Sequence, residues 1–179
     1  MYYYGSQNKP FVYRCINRLD RDTTGLTIVA KHALAGGILG NAVAKRAIHR
    51  TYYAVCSGCT PICMRISAPI ARKDASTIER CVDFKHGEYA VTDFIRIKYN
   101  PDNNLSLVKL RLLTGRTHQI RVHMKYIGFP LIGDFLYNPD YTYISRQALH
   151  SGRLVFTHPV TGQKMNLISD IPSDMKSLF

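Results

Sequence analysis

Short runs in which apolar and polar residues alternate dominate the chain. L-S-L-V-K-L-R-L, opening the stretch Leu105–Leu113, keeps a period of two, the spacing of a strand with one buried face. T-Y-Y-A-V-C (51–56) and the segments 77–83 and 88–99 are predicted as further strands, and P-F-V-Y-R-C (10–15) and L-T-I-V-A (26–30) as two more near the start. Pro101-Asp102-Asn103-Asn104 predicts a hairpin turn between the last two long strands.

Two segments change period. From Ala33 to Ile48 the apolar residues Leu34, Ile38, Leu39, Ala42, Val43 and Ile48 recur at near-helical spacing. Gly36, Gly37 and Gly40 each weaken that helix by about 1 kcal/mol unless a neighbour needs close approach. After Gly115 breaks the last strand, Thr117 is placed to N-cap a helix running to Tyr126 and stopped by Gly128. Ile120, Met124 and Ile127 would face the core; Arg116, Gln119, Arg121 and His123 are assigned to other directions. The expected fold is α+β: a mixed, mostly antiparallel sheet carrying two or three helices.

With 179 residues, the chain is expected to form one domain. Lys and Arg number 24 against 12 Asp and Glu, a formal net charge of +12. That balance favours a polyanionic partner, nucleic acid ahead of membrane. No apolar run reaches the roughly 20 residues of a membrane span, and M-Y-Y-Y-G-S-Q-N-K-P is no signal peptide, so a cytoplasmic location is expected. Five cysteines, an odd count, argue for reduced thiols. C-S-G-C-T-P-I-C resembles half a metal site, but Cys56 ends a strand and no second CxxC follows; the reading is no metal.

Asp20, in N-R-L-D-R-D-T-T-G (17–25), stands between Arg18 and Arg21 in a chain poor in acids. An exposed ion pair explains it, and so does a carboxylate held ionised by cations to meet an anionic substrate. Neither H-E-x-x-H, a phosphate-binding Gly-rich loop nor G-x-S-x-G occurs, and His118 and His123 are five apart rather than four. Glycosidic-bond chemistry is among the few reactions open to one carboxylate, some arginines and an aromatic residue.

N-R-L-D-R-D-T-T-G-L-T-I-V-A-K resembles the H-R-L-D-x-x-T-S-G-L signature of the RluA-type pseudouridine synthases. R-T-Y-Y-A-V-C-S-G is similar to their strand with a fixed tyrosine, here Tyr52. L-L-T-G-R-T-H-Q-I-R-V-H-M-K-Y-I-G-F-P-L-I-G-D-F-L-Y is similar to their third motif, and A-L-H-S-G-R-L-V-F-T-H-P-V-T-G to their closing strands. The resemblance implies isomerisation of uridine in ribosomal or transfer RNA to pseudouridine, without cofactor or metal. It implies that Asp20 is the essential carboxylate, acting on the sugar, on the base or on a sugar proton. Arg121 would pair with Asp20 and keep it ionised, while Tyr52 would stack on a uracil flipped out of its helix, although core packing explains a strand tyrosine equally well. Arg18 and Arg21 would hold phosphates or fill the vacated space; Arg116, Thr117, His118 and Gln119 would form a scaffold and RNA-contact set.

Asn17 stands where the family more often has His; both side chains hydrogen-bond, so local geometry rather than activity is at stake. Only nineteen residues precede Asp20, so the chain is expected to be a catalytic domain lacking leading strands and any N-terminal RNA-binding domain, the full-length protein being a monomer. The rival from another class is a non-catalytic RNA-binding module; the presence of Asp20 discriminates against it. A sugar-acting hydrolase would need a second carboxylate, and only Asp22, expected to shape a turn, lies near.

Overall fold

The computed structural model describes residues 12–74 and 78–179. Its strands are β1 (Arg14–Cys15), β2 (Thr24–Gly25), β3 (Val29–Ala30), β4 (His49–Ser57), β5 (Cys63–Ser67), β6 (Ile70–Arg72), β7 (Arg80–Val82), β8 (Val91–Asn100), β9 (Leu105–Leu112), β10 (Leu149–Thr157) and β11 (Lys164–Ile168). The helices are α1 (Ala33–Ala44), α2 (Gln119–Tyr126) and α3 (Ser173–Lys176). The main sheet runs β11-β10-β4-β9-β8-β5, every neighbour antiparallel, and β2 adds a short parallel pairing to β10. The architecture is α+β, as the alternation predicts.

Alternation on β4 explains how the sheet is covered on both faces. Tyr52, Ala54 and Cys56 point to one side, where Ile120 and Met124 of α2 meet Phe94, Val108 and Leu110. Val55 points to the other, into a cluster with Leu105, Ile132, Ile144 and Met175. A third cluster packs Ala35 and Leu39 of α1 against Ile28, Ile48, Leu154 and Phe156.

Several boundaries differ from the expectation. Of the 10–15 strand, only Arg14–Cys15 is a strand among the described residues, and 10–11 lie outside them, as does Thr77 of the expected 77–83 strand. The 26–30 run pairs only at Val29–Ala30. Helix α1 stops at Ala44 because Arg46 turns left-handed (φ 56°), sending Ile48 towards β4. His32 caps it, Nδ1 accepting the Ala35 N–H at 3.3 Å. Only Gly36 of its three glycines is crowded, by Arg14 and Ala30. The 101–104 turn forms as expected, with Asn104 left-handed at φ 52°.

Helix α2 needs two corrections. Its N-cap is His118, not Thr117, and no side chain caps it; the Gln119 Oε1 instead accepts the Arg116 N–H at 2.9 Å and the Thr114 hydroxyl at 2.8 Å. Gln119, Arg121 and His123 do not face away from the core: they are 2%, 1% and 0% exposed. Each is affordable inside because it is bonded there. His123 bonds Thr92 and the Ala68 carbonyl, both at 2.9 Å, and the Gln119 Nε2 donates to the Val91 carbonyl and the Thr92 hydroxyl.

Candidate active site

The segment 17–28 is a loop interrupted only by the two-residue β2, and its own short polar side chains hold it in shape. Asn17 is buried; its Oδ1 accepts the Ile28 N–H at 2.9 Å and its carbonyl accepts the Thr27 hydroxyl at 2.6 Å. The Asp20 carbonyl accepts the Thr23 N–H, closing a turn through the left-handed Asp22 (φ 67°), the turn-forming role expected of that residue. Gly25 then runs beside β10 at φ 104°; a Cβ there would fall 2.7 Å from the Ser151 nitrogen and nearer still to its carbonyl oxygen. The Gln147 Nε2 donates to the Arg21 carbonyl and the Thr23 hydroxyl, at 2.7 and 2.8 Å. Asp20 is thereby fixed to the main sheet from a loop.

Its partner comes from α2. The Arg121 Nη1 stands 3.4 Å from the Asp20 Oδ2. The stronger attachment is to Asp134: Nε and Nη2 each meet a carboxylate oxygen at 2.7 Å, with the two side chains 1% and 0% exposed. Asp134 also accepts the Leu136 and Tyr137 N–H groups, and the guanidinium lies 4.9 Å over the Tyr137 ring and 5.3 Å over Phe135. Burial pulls the guanidinium down, but the Asp134 hydrogen bonds and charge outweigh it and hold Arg121 above its ordinary value. Arg121 is thus pre-positioned by Asp134 and offers its remaining edge to Asp20.

Both groups face a cleft of about 730 Å³ between the 16–23 loop, the end of α1, β4, the end of β9 and the start of α2. Among the described residues lining it, Asp20 is the one carboxylate, against six arginines: Arg18, Arg46, Arg50, Arg111, Arg116 and Arg121. Tyr52 lines it while 95% buried. Burial raises its phenol, the nearby Arg50 charge lowers it and Asp20 raises it again, with a net rise. A second hollow of about 340 Å³ shares Gly115, Arg116 and Thr117 with the cleft and adds Arg72 and Arg80.

Of the residues singled out from sequence, Asp20, Tyr52, Arg121, Arg18, Arg116, His118 and Gln119 share this cleft. Arg21 does not line it; its side chain is 85% exposed and 3.5 Å from Asp22. Arg116 is tied to Glu88 and to the Tyr89 carbonyl, and Gln119 has internal partners at both ends of its amide. His118 bonds Tyr137 at 2.9 Å. Sequence reasoning missed Arg50, although its i,i+2 spacing from Tyr52 on a strand places both on one face. It also missed Asp134, Arg46 and Arg111. Among the described residues, no group of three or more His, Cys, Asp or Glu could hold a metal ion, and no helix is long and apolar enough to cross a membrane.

A family profile described as RNA pseudouridylate synthase matches residues 1–126. The Uncharacterized RNA pseudouridine synthase YjbO of Bacillus subtilis (strain 168) is 46% identical over 165 residues, covering 92% of this chain and 57% of that protein. The Ribosomal large subunit pseudouridine synthase D of Zymomonas mobilis is 37% identical over 174 residues, covering 92% and 54%. The solved structure of Human RNA Pseudouridylate Synthase Domain Containing 1 matches with a TM-score of 0.79 at 25% identity, over 89% of this chain and 69% of that one. The chain therefore spans little more than half the length of these two curated relatives.

Proposed function

The chain belongs to the RNA pseudouridylate synthase family, and on that premise we propose that it isomerises uridine in RNA to pseudouridine within the Asp20 cleft. The observation that carries the reading is one carboxylate set among six arginines, with a buried tyrosine beside it. Cations at the rim suit a polyanion, and a cleft of about 730 Å³ has room for a nucleotide taken out of its stack. The reaction breaks the bond from the sugar C1′ to N1 of the base and forms one from C1′ to C5. C5 loses a proton and N1 gains one, so there is no net oxidation or reduction to require a cofactor.

The chain's residues divide the work. Asp20 supplies the reacting carboxylate, and Arg121, anchored by Asp134, orients it. Tyr52 stacks on the base. Arg18, Arg46, Arg50, Arg111 and Arg116 meet phosphates, with Arg21 outside the cleft as a further backbone contact. His118 and Gln119 shape the floor. The catalytic unit is a single domain working in the cytoplasm, the full-length protein being a monomer, and the name of the Zymomonas mobilis relative supports ribosomal RNA ahead of transfer RNA as the substrate.

The test is to incubate the 179-residue chain with unmodified RNA transcribed with C5-tritiated uridine. Tritium should pass to solvent and pseudouridine should appear in a nucleoside digest. RNA that binds but releases no tritium would return the chain to the RNA-binding module.

A further inference from the structure

The cleft holds a donor that this division of work leaves idle. His118 sits at the head of α2 with φ 56° and ψ 18°, a left-handed conformation uncommon for a residue other than glycine. Its ring is fixed by Tyr137: Nδ1 lies 2.9 Å from the Tyr137 Oη, the two rings meeting edge-on at 5.7 Å. The Tyr137 Oη also accepts the Arg80 backbone N–H at 2.9 Å. In one of the two tautomers this pair allows, the single phenol proton is directed at the His118 Nδ1. Nδ1 is then the bare nitrogen, and Nε2 carries the hydrogen. Among the described residues Nε2 has no hydrogen-bond partner, while His118 lines the cleft.

The surroundings keep this imidazole neutral. Burial lowers its affinity for a proton, and the Arg121 and Arg80 charges lower it further, against the opposing pull of Asp20 and Asp134. A neutral N–H is poorly suited to compete for a phosphate beside five guanidinium groups, but it matches a neutral carbonyl. It also stands by the reacting carboxylate: Tyr137 lies under Arg121, and Arg121 meets Asp20.

We propose that His118 is a specificity residue whose Nε2–H donates a hydrogen bond to a carbonyl oxygen of the pyrimidine held beside Asp20. The assignment rests on the reading of the cleft as a uridine isomerase. A contact to O4 gives the site a way to recognise uracil, since cytosine carries an amino group there that would set donor against donor; a contact to O2, which both bases share, fixes the orientation of the base instead.

The test pairs two protein variants with two altered RNAs. Unmodified transcripts carrying C5-tritiated uridine are compared with transcripts in which uridine is replaced by its 2-thio or 4-thio analogue, similarly tritiated, since sulfur accepts a hydrogen bond more weakly than oxygen. The wild-type chain should lose roughly three- to tenfold in kcat/KM on one of the two thio RNAs, which identifies the oxygen contacted. His118→Asn suits the left-handed backbone but withdraws the donor; it should lose a similar factor on unmodified RNA and show no further thio penalty. His118→Gln, whose amide nitrogen reaches close to Nε2, should recover most of the rate and the thio penalty. A wild-type chain indifferent to both thio RNAs, or an identical thio penalty in His118→Asn, would overturn the assignment while leaving the isomerase reading intact. A wild-type chain inactive on unmodified RNA would bring down both.

Discussion

Replacing Asp134 by Asn tests whether the buried pair, rather than Asp20, holds Arg121. The change keeps the shape but removes the charge and sets an amide N–H₂ against a guanidinium that has only donors. Two hydrogen bonds of 2.7 Å are compromised in a site where both partners are essentially unexposed, leaving Asp20 at 3.4 Å as the nearest counter-charge. Breaking one partner of such a buried pair costs about 3–5 kcal/mol, a large part of the roughly 5–15 kcal/mol that stabilises a typical domain. At about 2–4 °C per kcal/mol for a chain of this size, the melting temperature should fall by roughly 6–20 °C. Urea unfolding with an unchanged m-value would measure it, and added salt should barely alter the loss, because a buried pair is little screened. Arg65 and Asp93 supply the control, with a similar two-bond geometry at 2.6 and 2.9 Å but side chains 64% and 31% exposed. Asp93→Asn should cost under about 1 kcal/mol. Equal small losses for both would refute the claim that Asp134 anchors the site.

Gly25→Ala should disorder the Asp20 loop, cutting turnover by at least about tenfold while the main sheet survives, since the clash with the Ser151 backbone is relieved by releasing the two-residue β2 from β10; amide exchange localised to residues 17–28 would check it. RNA binding should weaken with salt at a log–log slope of roughly −3.5 if the five cleft arginines other than Arg121 each neutralise a phosphate, or about −4.2 if Arg21 adds a sixth, and Arg50→Ala should reduce the slope by about 0.7. His123, buried and bonded as a neutral ring, has its proton affinity lowered first by burial. The unfolded chain therefore takes up that proton first, so stability should fall as pH drops below about 6.5, by at most about 1.4 kcal/mol per pH unit; urea midpoints at pH 7 and pH 5 should differ less in His123→Gln.

The fold class was legible because β4, β8 and β9 are long enough for a period-two pattern to stand out. β5 was not legible, since C-M-R-I-S shows four of its five residues to solvent and its partner β8 lies nearly thirty residues away. The same limit hid the β2–β10 pairing, a register of two residues joining Thr24 to His150 and Gly25 to Ser151, far apart in sequence. For the site, Asp20, Tyr52 and Arg121 could be named from motifs, and the Asp20–Arg121 contact exists. What the motifs did not show is that Arg121 gives its two best hydrogen bonds to Asp134, thirteen positions on. Nothing local marks Asp134 as buried, because its charged partner there is Arg121 of α2, thirteen positions back and itself 1% exposed. Helix α2 misled for a related reason. A polar residue reads as outward-facing unless its partner is known, and the partners of Gln119 and His123, at Thr92, Val91 and Ala68, lie on or beside a strand far away in sequence.

The central claim is that Asp20 carries the chemistry, and Asp20→Asn tests it most directly because the amide nearly preserves volume while removing the charge. The measurement is the rate of tritium release from C5-tritiated uridine RNA, on protein whose fold is first verified by urea unfolding, since Arg121 loses one counter-charge. Turnover should fall by at least about 10³-fold, as proton transfer alone is typically worth 10²–10⁴. RNA affinity should hold or rise slightly, a negative charge having left a site that faces phosphates. Asp22→Asn, at an exposed turn, should stay within about tenfold of the parent. A folded Asp20→Asn chain that still releases tritium at near the parental rate would contradict the account.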